Sequence, residues 1–222
     1  WGYHACDTTR TCPVKGRFTA PQGRVYQIVL DAQLAAIAAA RPGARYEAMH
    51  EAARRVLTEG LVAVGLLPRG VEDSLAMHHY REFYMHGTGH WLGMDVHDVG
   101  DYRVRRQSRA LEPGMVVTVE PGLYIDPERE SVTFHLREYS EEEMWERRYR
   151  LGVAAARKLE EEEKARAEKI VHPIPRELRG IGVRIEDDIF ITAEGRENLT
   201  AGTPKTVEEL ERTCAEAPHL PR

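Results

Sequence analysis

Three histidines, His86, His90 and His97, fall within the stretch MHGTGHWLGMDVHD at 85–98, with Gly87, Gly89 and Gly93 between them. His86 and His90 have the i, i+4 spacing of a helical zinc pair, but no Glu follows His86 as the HExxH arrangement requires. The glycines also disfavour a helix. The stretch therefore reads as a strand or loop in which glycine lets the backbone approach a ligand closely. Three acids sit in strand-like runs elsewhere: Asp7 in YHACDTTRTCPV at 3–14, Glu120 in MVVTVEPGLYI at 115–125, and Glu186 in GIGVRIEDDIFIT at 180–192. A lone acid in a buried strand is costly unless it is paired or holds a cation. Either strand alternation turns each acid to solvent, or the three converge on metal; three such acids beside a histidine cluster favour convergence. A carboxylate-rich shell with one imidazole suits Mn²⁺, Fe²⁺, Co²⁺ or Zn²⁺ better than a thiolate site does. At most one or two of the imidazoles need be ligands, leaving the others to hydrogen-bond a substrate carbonyl or a tetrahedral intermediate. Two ions sharing carboxylates activate water and polarise a carbonyl, which is the machinery of hydrolysis. Residue chemistry thus reaches a metal hydrolase and leaves the substrate open.

The elements that must position these groups follow from pattern. Residues 3–14 read as a strand ending in a turn at Pro13 and GRFT. Pro21 opens a helix over 21–41 whose apolar positions Val25, Ile28, Val29, Ala32, Ala36 and Ile37 keep helical spacing, and PG at 42–43 stops it. A second helix is expected over 45–66, with Met49, Ala53, Val56, Leu57 and Leu61 on one side. The β-branched run after EPG at 112–114 reads as a buried strand interrupted at Glu120-Pro121-Gly122. Residues 140–170 are mostly charged, and Glu160–Lys164 and Glu162–Arg166 are spaced for an exposed helix. A strand at 180–192 and a short helix near 206–213 complete an α+β or mixed α/β domain.

Composition excludes several classes. With 222 residues, 42% of them hydrophobic, the chain can bury one sizeable core. The net charge of −5 and the shortness of the RVRRQSR stretch at 103–109 leave no nucleic-acid footprint. GLVAVGLL at 60–67 is too short to span a bilayer. The opening WGYHACD has no signal-peptide pattern. Cys6, Cys12 and Cys214, odd in number and without a CxxC pair, read as reduced thiols of a cytoplasmic protein.

Four segments, DTTRTCPVKGRFT at 7–19, MHGTGHWLGMDVHDVG at 85–100, LEPGMVVTVEPGLYI at 111–125 and GIGVRIEDDIFIT at 180–192, run in order across nearly the whole chain, with ENLT at 197–200 in keeping. Together they resemble the metallopeptidase family of methionine aminopeptidases, prolidases and aminopeptidases P. Within it they are most similar to the aminopeptidases P, or Xaa-Pro aminopeptidases. The Trp of HGTGHWLG tilts the reading away from prolidase, and DVHDVG away from methionine aminopeptidase.

The resemblance implies the pita-bread (creatinase/methionine aminopeptidase-like) fold: a mixed, largely antiparallel curved sheet with helices outside, incomplete here at its N-terminus. It implies two divalent ions, manganese foremost with zinc or cobalt as alternatives, held by two Asp, one His and two Glu. Asp7 matches an Asp that bridges both ions, His90 the metal histidine, Glu120 a ligand to the same ion, and Glu186 the second bridging carboxylate. His86 and His97 match two substrate-facing histidines, and Arg184 an arginine that supports the site. The catalytic candidates are thus His86, His97, Glu120 and Arg184, while His86, Trp91 and His97 are candidates to line a pocket for the proline ring. The implied activity is removal of the first residue from peptides with Pro second, by a metal-activated hydroxide, with Glu120 passing the proton to the proline nitrogen. The implied partners are such peptides and further copies of the chain, with no nucleic acid and no membrane.

Two departures qualify this. The family's first metal Asp would lie upstream of Trp1, so residues 1–222 are expected to be a C-terminal catalytic domain without its upstream start, holding the second ion poorly alone. Residues 128–176 form a charged helical insertion between Glu120 and Glu186, expected to pack through Trp145, Tyr149 and Leu151. It is either a solvated excursion or a cap or subunit contact. Prolidase and a non-catalytic peptide-binding module of the same fold are the alternatives; a coiled-coil interaction protein ranks last for want of a heptad stripe.

Overall fold

The computed structural model describes residues 2–137 and 141–216. Helix α1 (Ala20–Ala39) starts at a capping box in which Thr19 and Gln22 satisfy each other's backbone, with Pro21 in the first turn. It buries Val25, Tyr26, Val29, Ala32, Ala36 and Ile37, and ends where Arg41 precedes Pro42. It packs against α2 (Glu47–Ala63), which contributes Met49, Ala53, Leu57 and Leu61 to the same core. A short helix α3 (Val71–Ala76) and a 3₁₀ turn at His79–Glu82 lead into the histidine-rich loop. No helix among the described residues is long and apolar enough to cross a membrane.

The sheets are small and every ladder is antiparallel. A hairpin of β1 (Arg103–Val104) and β2 (Gln107–Ser108) turns through Arg105 and Arg106, both at positive φ. Strand β3 (Val116–Val119) and β4 (Gly122–Tyr124) follow, separated by Glu120 and Pro121. The intervening insertion carries its own pair, β5 (Ser131–His135) and β6 (Lys169–Pro173), and late in the chain come β7 (Gly182–Arg184), β8 (Asp187–Ile191) and β9 (Arg196–Asn198). Val119 pairs with Asp187 and Gly122 with Arg184, so both partners leave the ladder together, at Glu120-Pro121 and at Ile185-Glu186. Pro121 has no N–H to give to a ladder. This shared break brings two acids from distant parts of the sequence to one corner. The architecture is one of helices and antiparallel sheets that do not close into a barrel, as the α+β expectation requires.

Several expectations are corrected. Residues 3–14 form no strand. They run past the break, where the Glu186 N–H donates to the Thr9 carbonyl (3.0 Å), while Thr11 Oγ1 and the Asp188 carboxylate take other bonds a ladder would have made. The charged helix is two helices, α4 (Glu141–Leu151) and α5 (Val153–Arg166), divided at Gly152 and carried on the β5–β6 pair. Its buried residues are Met144 and Ala156, not Tyr149 and Leu151, which are 65% and 52% exposed. Trp145 and Tyr149 instead stack on each other and receive Arg103 and Arg106 of the hairpin on their faces. The C-terminal helix α6 spans Val207–Glu216.

Candidate metal centre

His90 is the hub. Its Nε2 lies 3.4 Å from Asp7 Oδ2, 3.7 Å from Glu120 Oε1 and 3.9 Å from Glu186 Oε1. The isolated bridge between Trp91 and Val117 lays the loop along β3, and Thr118 binds the His90 backbone through both its N–H and its Oγ1. That approach requires glycine: a Cβ on Gly89 would sit 1.9 Å from the Thr118 carbonyl oxygen, and one on Gly93 would strike the Asp98 carboxylate. His90 Nδ1 faces the Trp91 carbonyl at 3.0 Å, and a carbonyl only accepts, so Nδ1 carries the proton. In the neutral ring this leaves the Nε2 lone pair aimed at the three carboxylates, the tautomer a metal ligand needs.

The carboxylates arrive from three segments. Glu186, 1% exposed, accepts Thr9 Oγ1 on Oε2 at 2.6 Å. Glu120 receives Arg184 Nη1 on Oε2 at 3.0 Å. Burial, reinforced by Glu120 and Asp7, pushes Glu186 up to about 7, although the Thr9 bond and Arg184 work against it. Burial also raises Glu120, against the pull of Arg184. Acids so placed are held apart from their ordinary ionisation only while no cation is shared. His90 Nε2 and Glu186 Oε1 are both buried with no hydrogen-bond partner. Two overlapping donor groups, Asp7–His90–His97 and His90–Glu120–Glu186, have ligand atoms close enough to hold an ion. An imidazole lone pair and carboxylate oxygens in one pocket are a donor set for a divalent metal, and the residues fit it.

The histidines divide. His97 is exposed, with its ring centroid 4.1 Å from that of His90. His86 is bound within the chain on both nitrogens: Nδ1 donates to the Gly87 carbonyl (2.7 Å), and Nε2 accepts from Tyr124 Oη (2.9 Å) and Arg184 Nη2 (3.3 Å). Burial lowers its basicity, which suits that accepting role. Arg184 also donates through Nε to Tyr124 Oη at 2.7 Å, so one guanidinium ties Glu120, Tyr124 and His86 together. Trp91 does not join His86 and His97. Its ring is buried against Tyr46, Tyr102 and Arg109, because it follows His90 in extended backbone and takes the opposite side.

Sequence reasoning missed the support behind the centre. Asp187, fully buried, accepts Arg10 Nη2 (2.6 Å), Lys205 Nζ (2.6 Å), Asn198 Nδ2 (2.9 Å) and Thr200 Oγ1 (2.9 Å). Burial alone would raise its pKa, but the bonds to Lys205 and Arg10 outweigh it and hold the carboxyl below its usual range. Arg10 Nη1 also donates to the carbonyls of Thr9 (2.9 Å) and Glu186 (2.6 Å), clamping the first segment onto the ladder break. The signal was present in the first Asp of RIEDD and in ENLT, but nothing in the spacing paired them with Arg10. Tyr124 gave no signal at all.

The model of metallopeptidase family M24 matches residues 1–193 of the chain. Xaa-Pro aminopeptidase 1 of Streptomyces coelicolor is 41% identical over 214 residues, covering 96% of this chain and 35% of its own. The Xaa-Pro dipeptidase of Homo sapiens is 38% identical over 225 residues, covering 95% and 40%. The solved structure of Pseudomonas aeruginosa aminopeptidase PepP matches with a TM-score of 0.75 at 42% identity, covering 96% of this chain and 39% of that one. The chain thus spans well under half the length of these relatives.

Proposed function

We propose, from the premise that this chain belongs to metallopeptidase family M24, that it carries the metal-binding catalytic part of an Xaa-Pro aminopeptidase. The observation that carries the reading is the convergence of Asp7, Glu120 and Glu186 on the unpartnered Nε2 of His90. These four side chains hold divalent metal, manganese foremost. When bound, such ions supply Lewis acidity toward a carbonyl and lower the pKa of water.

The chain's own residues do the rest. Thr9 fixes one oxygen of Glu186 and Arg184 one oxygen of Glu120, leaving Oε1 of each turned to the centre. Glu120, at the centre and held by Arg184, passes the proton to the departing proline nitrogen. The exposed His97 imidazole meets the substrate carbonyl. His86, held by Tyr124, Arg184 and the Gly87 carbonyl, positions the Arg184 guanidinium rather than contacting substrate.

The human relative favours one second reading, hydrolysis of Xaa-Pro dipeptides. The test uses the full-length protein that contains this chain, supplied with manganese and offered an Xaa-Pro dipeptide and an Xaa-Pro-Yaa tripeptide, with products identified by mass. Release of the first residue from the tripeptide is the expected result. Preference for the dipeptide selects the second reading, and no turnover with metal bound defeats both.

A further inference from the structure

The metal loop has little of its own to hold it. Residues 86–90 belong to no helix or strand, and Gly87 and Gly89 leave the backbone torsionally free. Yet His90 aims Nε2 at three carboxylates, and Gly89 lies against the Thr118 carbonyl with no room for a side chain. The anchors come from the start of α2. Tyr46, the residue that caps α2, and His50 are four apart, which puts them on one face of the helix. Tyr46 Oη donates to the Gly89 carbonyl at 2.5 Å, and His50 Nδ1 pairs with Thr88 Oγ1 at 2.9 Å. Together they grip the two residues immediately before His90. Burial keeps the Tyr46 phenol protonated, and so a donor. Thr88, 4% exposed, also pairs with Tyr84 Oη at 2.6 Å, and its carbonyl accepts the Glu120 N–H at 2.7 Å. Holding Thr88 therefore fixes the backbone of Glu120, and holding Gly89 fixes the peptide that leads into His90.

His50 belongs to neither donor group of the centre, and the Tyr46 hydroxyl is spent on a backbone carbonyl. We propose that Tyr46 and His50 are positioning residues through which α2 sets the direction of His90 Nε2 and the seat of Glu120. The inference rests on the metal reading proposed above and assigns the pre-organisation of that centre to one helix face. A loop of this composition would otherwise sample many backbone states, and each ligand would have to be ordered when the ion arrives. Outer partners that orient metal ligands typically carry 10–100-fold in metal affinity.

Manganese titration and amide hydrogen exchange on the full-length protein that contains this chain test this without turnover. Tyr46→Phe removes one hydroxyl and keeps the ring against Trp91 and Tyr102. His50→Leu removes the polar ring and keeps an apolar side chain in its place. Each is expected to weaken manganese by about tenfold. Each should also speed exchange at the Glu120 and His90 amides while leaving α1 as protected as before. His50→Asn, whose side-chain amide can meet Thr88 as Nδ1 does, is expected to restore affinity to within about threefold of the unmodified protein. Affinity unchanged in both Tyr46→Phe and His50→Leu overturns the proposal. So does a loss that comes with faster exchange throughout α1, which is general loosening, or a His50→Asn protein as weak as His50→Leu. If the unmodified protein binds no manganese, the metal reading fails and exchange alone decides: unchanged protection at Glu120 and His90 then overturns the positioning role as well.

Discussion

The corner around His90 and the insertion at 128–176 are both rich in acids, and they use them oppositely. At the corner, Asp7, Glu120 and Glu186 point at one imidazole with side chains 27%, 12% and 2% exposed, and among the described residues Arg184 is the cation paired with one of them. In the insertion, Glu163 meets Arg147 at 2.7 Å and also Arg137, Glu146 meets Arg150 at 2.7 Å, and Glu160 meets Arg148, mostly at the surface. Exposed pairs of this kind contribute about 0–1 kcal/mol each. Buried acids left to face one another are unfavourable until something positive joins them. Charge density alone distinguishes nothing; what decides the role is whether the chain supplies the counter-charge.

The sharpest break of this comparison is a pair of isosteric changes. Glu186→Gln should remove a central ligand and lower kcat/KM by about 10³-fold or more, with a parallel loss in a metal titration. Glu146→Gln in the insertion should leave both within about twofold. Comparable losses in the two variants would erase the distinction. Asp187→Ala comes next: it strands the buried Arg10 and Lys205 and should cost about 3–5 kcal/mol in a denaturant titration.

How much of this was legible follows the same divide. Asp7, His90, Glu120 and Glu186 could be picked out because an acid in an apolar run is an anomaly at the level of sequence, and the structure brings all four together. The path of residues 3–14 was not, because Thr, Val, Cys and Tyr have strand propensity whether or not a ladder partner is free, and here side chains take the bonds. Asp187 was hidden because its partners Arg10 and Lys205 lie far away in sequence. The packing of Trp91 on Tyr46 and Tyr102 is not written in the spacing, because one residue along extended backbone reverses the face. Helical character in the insertion was readable from its charge spacing, yet its ion pairs run between α4 and α5 as well as along each helix, and no i, i+4 rule encodes a fold-back at Gly152.

pH sharpens the comparison at intermediate size. Glu186 is raised from its ordinary 4.5 to about 7 in the metal-free fold, so the folded chain keeps a proton that the unfolded chain has lost between those values. The native state binds more protons across that window, so this group's contribution to metal-free stability falls as pH rises from about 4.5 to 7. Metal must displace the same proton, so apparent affinity should fall by up to about tenfold per pH unit below 7. Manganese titrations at several pH values check this. An affinity flat between pH 5.5 and 7.5 would remove Glu186 from the ligand set.

The smallest effect concerns where the two regions meet. Trp145 and Tyr149 stack at 5.3 Å, with Arg103 5.3 Å above the first ring and Arg106 5.0 Å above the second. Arg106 and Arg105 occupy positive φ, where glycine or asparagine would be at ease, so the hairpin turn is strained. The neighbouring Tyr102 stacks on Trp91 at 5.5 Å and accepts its backbone N–H at 3.2 Å, one residue from His90. The insertion therefore grips the hairpin that braces the metal loop. Each exposed cation–π contact contributes about 0.5–1 kcal/mol, so Tyr149→Ala should lower stability by no more than that. Replacing Arg105-Arg106 with Asn-Gly relieves the strain and should recover that loss in a denaturant titration of the double-site variant. If Tyr149→Ala costs nothing in either background, the aromatic pair is a solvated surface and the two regions are independent.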